Sequence, residues 1–168
     1  MSGRAVYHRA MSSSGRSFDP TSPPRLEGPT VDYGLARRST ISALKRGQLH
    51  TTEVCDAHPE LMRAGKNIGN DVPGKCPVCS HETLKWVRYV YGDELRHNNG
   101  RVVYPEAWLE ELVRQHDQFT CYVVEVCVDC SWNHLLRSYL TGKRWSASRP
   151  VAGTANGSAT RRQKRSDH

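Results

Sequence analysis

Two pairs of cysteines, each with two residues between its members, constrain this chain more than any other feature. The pairs are Cys76 with Cys79 and Cys127 with Cys130, and 47 residues separate them. A C-x2-C turn directs both thiolates towards one point, and two such turns supply the four sulfurs of a closed tetrahedral zinc site. We therefore predict a zinc ribbon in which these four cysteines bind one Zn2+ ion. Four thiolates also bind iron, so iron is the alternative metal.

The closed set of ligands indicates a structural role for the metal. Catalytic zinc keeps one coordination position for water or substrate, whereas four thiolates leave none. Metal binding would then supply a large part of the folding free energy. This agrees with a modest apolar core, because only 37% of the residues are hydrophobic and the mean hydropathy is -0.67.

The other cysteine and histidine residues are weaker candidates for metal ligands. Cys55 and His58 have the C-x2-H spacing of metal ligands and could form a second site, although a half-buried thiol beside an exposed imidazole is the simpler interpretation. Cys121 lies in a predicted strand and is interpreted as a small core residue. His81 follows the first pair and could replace a cysteine as ligand, but we expect it to lie beside the site or to be exposed.

The positive charge of the chain is concentrated at its two ends. The full sequence has a net charge of +7, yet residues 30–145 carry 15 basic and 14 acidic side chains. Residues 1–29 are rich in Pro, Ser and Gly, and residues 146–168 in Ser, Ala, Gly and Arg, which predicts two disordered tails. Between them we predict a helical segment over 30–70 and a zinc-ribbon domain over 71–145. The basic C-terminal tail could bind nucleic-acid phosphates without reading their sequence.

The region before the first cysteine pair is predicted to be helical. One helix is expected over 31–46, where a basic last turn is followed by a glycine. Apolar residues at helical spacing continue over 51–70. Pro59 interrupts this second stretch, so that either one helix is kinked or a second helix begins at the proline.

From Cys76 onwards the sequence alternates between strand and helix patterns, which gives an α+β fold. Leu84–Tyr91 is rich in aromatic and β-branched residues and predicts a strand, paired with 101–104 as a hairpin. An inserted helix is expected after Pro105, and a long strand over 119–126. A C-terminal helix is expected over 131–142, because its apolar residues repeat at intervals of 3, 1, 3 and 1.

Catalytic motifs are missing from the sequence. It contains no H-E-x-x-H, no phosphate-binding glycine loop and no G-x-S-x-G, and the adjacent Glu110 and Glu111 are expected on the solvated face of a helix. We therefore expect no enzymatic activity. No apolar run is long enough to cross a bilayer, and the first residues do not resemble a signal peptide, so a cytoplasmic location is expected.

Docking onto a larger complex is the function that the sequence favours. A zinc ribbon with a basic tail is typical of proteins that contact machinery handling nucleic acid, in transcription or translation. Trp86, Tyr89 and Tyr91, with Arg88 between them, could form a stacking surface if exposed, or a core if buried. One alternative is an adaptor that binds only a protein partner. Another is a thiol-based redox or metal sensor that uses Cys55 or Cys121.

Four segments together resemble a family of small actinobacterial zinc-ribbon proteins of unknown function. They are VDYGLARR at 31–38, VCDAHPEL at 54–61, and the CPVC and CVDC pairs. The resemblance covers about residues 30–145. It implies a bacterial cytoplasmic protein with a helical front end and a metal ribbon, and it implies no activity. It also gives Cys55 and His58 more weight as a possible site.

Overall fold

A five-stranded antiparallel sheet forms the centre of the protein, and the computed structural model describes residues 28–146. The strands are β1 (Thr30–Asp32), β2 (Asn70–Asp71), β3 (Leu84–Tyr91), β4 (Phe119–Cys127) and β5 (Asn133–Thr141). Their order in the sheet is β1-β5-β4-β3-β2. The three long strands lie at the centre, so the two short ones cover their edges.

Five α-helices surround this sheet in the part of the chain that the structure describes. They are α1 (Gly34–Lys45), α2 (Thr51–Val54), α3 (Pro59–Ile68), α4 (Glu106–Gln115) and α5 (Lys143–Ser146). A 3-10 helix spans Asp93–Asn98. Helix α3 begins at its proline, and the Nδ1 atom of His58 accepts a hydrogen bond from the Glu60 amide at 3.2 Å. The interpretation in which Pro59 starts a second helix is therefore confirmed.

The two faces of the sheet are covered by different helices. On the first face, Val90, Cys121 and Val123 pack in one cluster with the apolar residues of α4. On the second face, Val87 and Val126 pack against α3. The alternation of side chains along a strand explains this division, since successive residues point to opposite faces. The helices, the inserted α4 and the sheet together confirm the predicted α+β class.

The C-terminal helix predicted over 131–142 is wrong, because this segment forms β5. Its backbone pairs with β4 on one side and with β1 on the other. A bulge opposite Val123 and Val124 adds one residue to β5, which interrupts the strict alternation of its side chains between the two faces of the sheet. This interruption gave the sequence a spacing that resembles a helix.

Two other boundaries differ from the predictions. The first helix begins at Gly34 and not at Val31, because residues 30–32 join the sheet as β1. The predicted hairpin partner at 101–104 is reduced to an isolated bridge between Tyr89 and Val102, while β3 pairs along its whole length with β4. The predicted tails lie outside the described residues, apart from residues 28, 29 and 146. Within the described range, no helix is long and apolar enough to cross a membrane.

Candidate metal centre

The four cysteines of the two C-x2-C pairs come together at one end of β3 and β4. All four Sγ atoms lie within 4.8 Å of one another. The distance from Cys76 to Cys130 is 3.5 Å, and that from Cys79 to Cys127 is 3.6 Å. Sulfurs about 2.3 Å from a tetrahedrally bound zinc ion are separated by about 3.8 Å, so the arrangement fits such an ion. These four residues could therefore bind a metal ion, as their spacing predicts.

The two cysteine turns have the same backbone construction. In each, the residue after the second cysteine is a serine with a positive φ, which is 63° at Ser80 and 65° at Ser131. The amide of each serine donates a hydrogen bond to the carbonyl of the first cysteine of its pair, at 3.0 Å in both turns. The left-handed residue reverses the chain so that the following strand can begin. The shared sequence C-x2-C-S is the signal that could have predicted this similarity.

Burial and hydrogen bonds give the thiols of Cys76, Cys127 and Cys130 different pKa values. Burial opposes ionisation of Cys127, but the Thr83 hydroxyl and the backbone amides of Cys130 and Asp129 lower its pKa to about 7. Burial raises the pKa of Cys130 to about 12, and it also raises the pKa of Cys76. Without a metal, the site therefore favours one thiolate, while Cys76 and Cys130 keep their protons.

Metal affinity is expected to increase steeply with pH. Binding must release the protons of at least Cys76 and Cys130, so zinc affinity should rise at least about 100-fold per pH unit near neutrality. The dependence should become steeper below the pKa of Cys127, because the proton of Cys127 then competes with the metal as well. Competition against a chromophoric chelator of known proton affinity, from about pH 6 to about pH 8, measures this slope. An affinity independent of pH would contradict the four-thiol ligand set.

A hydrogen-bonded pair links the two turns outside the sulfur cluster. The Nδ1 atom of His81 lies 2.8 Å from Oδ2 of Asp129. The hydroxyl of Thr83 lies 3.0 Å from the same oxygen and 3.2 Å from Cys127 Sγ. The hydrogen bond from His81 lowers the pKa of the Asp129 carboxyl, followed by that from Thr83. His81 is thus placed beside the site, as expected, and outside the group of four sulfurs.

Cys55 and His58, considered above as a second site, occupy different environments. Cys55 Sγ lies 3.8 Å from Cys130 Sγ, next to the four-cysteine cluster. His58 caps α3 instead. Within residues 28–146, neither residue belongs to a group of side chains that could hold a metal ion. Cys121 is completely buried in the core of the first face, as predicted.

A buried ion pair anchors the second turn to α1. Glu125 accepts a hydrogen bond from Trp132 Nε1 at 2.8 Å and another from Arg37 Nε at 2.9 Å. The Arg37 guanidinium also lies 6.0 Å from the centre of the Trp132 ring. Trp132 itself is fully buried against Cys76, Cys127 and neighbouring apolar residues. This pair could not be predicted from the sequence, because Arg37 and Glu125 are 88 positions apart.

Comparison with known proteins identifies related sequences. A family model described as "Family of unknown function (DUF5318)" matches residues 25–155. The chain belongs to the DUF5318 family. It is 39% identical over 134 residues to the uncharacterized protein Rv0049 of Mycobacterium tuberculosis and to the uncharacterized protein Mb0050 of Mycobacterium bovis. Each match covers 78% of this chain and 92% of the relative. No solved structure matches the chain.

These relatives confirm the resemblance to an uncharacterised actinobacterial family that the four sequence segments predicted. The residues that the family model matches include both cysteine turns and every helix and strand described above. The zinc-ribbon interpretation is carried by the cysteine cluster and not by the family description. The identity of the metal remains a prediction.

The aromatic strand of this DUF5318 protein is divided between the two faces of the sheet. Trp86 packs against the core of the first face. Arg88 is also buried there and forms an ion pair with Glu106 of α4, so it is no part of an exposed stacking surface. Tyr89 and Tyr91 lie on the second face, where the Tyr91 ring meets the Tyr122 ring edge to face at 5.4 Å.

Part of the second face forms an open groove beside α3. Its volume is about 270 Å³. We call it the tyrosine groove; its lining residues are Leu61, Tyr89, Tyr91, Tyr122, Val124 and Leu135. None of these side chains carries a charge at neutral pH. Tyr91, the last residue of β3, is 45% exposed, which is a large exposed fraction for an aromatic side chain that packs on a sheet face.

Proposed function

We propose that this protein is a non-enzymatic, zinc-stabilised module that docks onto a larger complex. Four converging thiols favour Zn2+ in a structural role, since they leave no coordination position for a substrate. The metal would fix the ends of β3, β4 and β5, and these strands carry the tyrosine groove. None of the six cysteines forms a disulfide. This agrees with the cytoplasmic location that is part of the proposal.

The tyrosine groove is the observation that carries the docking proposal. Helix α3 covers only part of the second face, and the tyrosine groove beside it is apolar and aromatic. Aromatic side chains are enriched where one protein binds another, because they bury a large area at low entropic cost. The lining has no cation to pair with phosphate. We therefore propose that the groove binds a protein segment with apolar side chains.

In this proposal, the C-terminal tail is the part of the protein that contacts nucleic acid. Residues 147–168 contain five basic side chains and one acidic side chain, and they lie outside the described residues. Residues 30–145 are nearly neutral, so the folded part supplies little attraction for a polyanion. A tail that attracts phosphates and a groove that binds protein would suit a component of transcription or translation machinery.

Shortening Tyr91 is expected to weaken protein docking. Truncation of an aromatic residue at the centre of a contact costs more than about 1 kcal/mol, so Tyr91→Ala should reduce partner affinity more than about fivefold. The measurement is affinity capture from a nuclease-treated lysate of the source organism, followed by titration of the captured partner. Tyr104→Ala is the matched control, because Tyr104 is 62% exposed and does not line the groove.

Capture alone does not support the proposal, because nonspecific partners are common. The proposal requires one partner that is retained by Tyr104→Ala and reduced by Tyr91→Ala. Equal retention by both variants would contradict docking at the groove. Loss of the partner on nuclease treatment would instead indicate that nucleic acid mediates the association.

Removing the tail tests the nucleic-acid contact separately. Fluorescence titration of RNA and of duplex DNA is carried out with the full chain and with a chain that ends at Ser146. We expect salt-sensitive binding by the full chain, no binding by the shortened chain, and no effect of Tyr91→Ala. If neither chain binds nucleic acid at low salt, this half of the proposal is wrong.

A further inference from the structure

Cys55 is a fifth sulfur at the edge of the metal centre, and the proposed function does not use it. Its Sγ atom lies 3.8 Å from Cys130 Sγ, nearly as close as the 3.5 Å between Cys130 and Cys76. Yet Cys55 is no member of the group of four whose sulfurs all lie within 4.8 Å of one another. Cys130 therefore contacts one thiol inside the predicted ligand set and one outside it.

Independent contacts on both sides hold Cys55 against the second cysteine turn. Val54 is buried in the same apolar cluster as the cysteines. Asp56 accepts a hydrogen bond from Asn133 Nδ2 at 2.9 Å, and the Ala57 amide donates one to the Ser131 carbonyl at 3.1 Å. The segment between α2 and α3 is thus attached to the residues that follow Cys130. These attachments bring together two sulfurs that are 75 positions apart in the chain.

We propose that Cys55 and Cys130 are a site of oxidation by hydrogen peroxide, at which a disulfide forms and removes one ligand from the metal centre. A disulfide requires the two sulfurs to approach by a further distance of about 1.8 Å. Rotation of the side chains can supply this movement, since neither Cys55 nor Cys130 is fully buried. The inference rests on the proposed metal centre, because the disulfide acts by removing a ligand.

The chemistry needs only peroxide as the co-reactant. The Cys130 sulfur, a thiolate in the metal centre, attacks one peroxide oxygen, the O–O bond breaks, and the second oxygen leaves as hydroxide, which takes a proton from solvent to become water. The Cys55 sulfur then attacks Cys130, the S–O bond breaks, and the hydroxyl leaves as water with the proton of Cys55. One thiol, one thiolate, one proton from solvent and one peroxide thus become one disulfide and two waters. The sulfurs lose two electrons, and the peroxide gains them.

Loss of Cys130 as a ligand opens the closed set. Three thiolate ligands remain, and the metal is held less tightly because one bond of four is removed. A thiol reductant reverses the change, since disulfides exchange with external thiols. The state of the metal centre would then report the peroxide level to whatever the module binds.

The test treats the zinc-loaded full-length protein with hydrogen peroxide. Zinc release is followed with a metallochromic dye, and disulfides are located by peptide mass mapping after alkylation of free thiols. We expect a Cys55–Cys130 disulfide, zinc release, and recovery of zinc binding after reduction. The variants are Cys55→Ser and, as control, Cys121→Ala, which removes a buried thiol in the core of the first face.

The two variants separate the possible outcomes. Cys55→Ser should bind one zinc ion when reduced, but its recovery after oxidation and reduction should fall at least about twofold, because a sulfenic acid without a partner thiol is oxidised further. Cys121→Ala should behave like the unmodified protein. The inference is overturned if Cys55 remains alkylatable in the oxidised protein, or if Cys55→Ser recovers fully.

Failure of the proposed function is recognised independently of this result. A reduced protein that binds no zinc contradicts the metal centre itself. In that case peptide mapping of the metal-free chain still determines whether peroxide joins Cys55 to Cys130. The disulfide and the metal are therefore tested by separate measurements.

Discussion

Replacement of Cys127 by serine is expected to abolish metal binding and to unfold the protein. Cys127 is fully buried, its sulfur lies 3.6 Å from that of Cys79, and it ends the central strand β4. A serine hydroxyl is a poor ligand for zinc, so the closed set would be broken. Structural zinc sites contribute apparent free energies of about 10 to 16 kcal/mol, which equals or exceeds the stability of a typical domain.

The same result is expected for each of the four predicted ligands. Elemental analysis should find one zinc ion per chain in the unmodified protein, and less than about a tenth of that in each single Cys→Ser variant. Circular dichroism and thermal denaturation then report whether the fold is lost with the metal. Cys55→Ser is the matched control and should retain both zinc and fold. An unmodified protein that melts cooperatively at the same temperature after chelation would contradict a structural role for the metal.

Arg37→Ala is expected to destabilise the metal-loaded protein by about 2 to 3 kcal/mol. Removal of one partner from a buried ion pair costs about 3 to 5 kcal/mol, and the partial exposure of Arg37 reduces this value. The variant leaves the Glu125 carboxylate buried with Trp132 Nε1 as its remaining hydrogen-bond donor among the contacts described here. Because Trp132 packs against two of the cysteines, the loss should also loosen the metal centre.

Urea denaturation of the metal-loaded protein measures this effect. Arg38→Ala is the control, since Arg38 is the exposed neighbour on α1, and it should cost less than about 0.5 kcal/mol. Combining Arg37→Ala with Glu125→Gln should recover part of the loss, because the amide keeps an acceptor for Trp132 without an unpaired charge. Equal effects of Arg37→Ala and Arg38→Ala would show that the buried pair contributes no stability.

The local sequence was sufficient to predict the elements whose structure depends on interactions between neighbouring residues. The two residues inside each cysteine pair set the geometry of each turn, and Pro59 marks the first residue of α3. The helix after Pro105 and the aromatic strand Leu84–Tyr91 also follow from periodicity and composition. In all of these, the deciding interactions are between residues close in sequence.

Other features of the structure depend on contacts between residues that are far apart in the chain. The segment Asn133–Thr141 has a helical spacing of apolar residues, yet it is a strand because the edges of β4 and β1 both offer it backbone hydrogen bonds. Arg88 lies among aromatic residues in the sequence, yet it is buried, and Glu106 of α4 pairs with it. A single sequence does not show which partner a strand or a charge will meet.

The sequence by itself determined that four thiols would be available in two matched turns, because two-residue spacing fixes each pair locally. Only the tertiary structure decided how these turns meet and what surrounds them. It placed Cys55 beside Cys130 across 75 positions, joined Arg37 to Glu125 across 88, and left the tyrosine groove open beside α3. Such contacts depend on the packing of the whole sheet, whose strands are paired by hydrogen bonds between segments far apart in the chain.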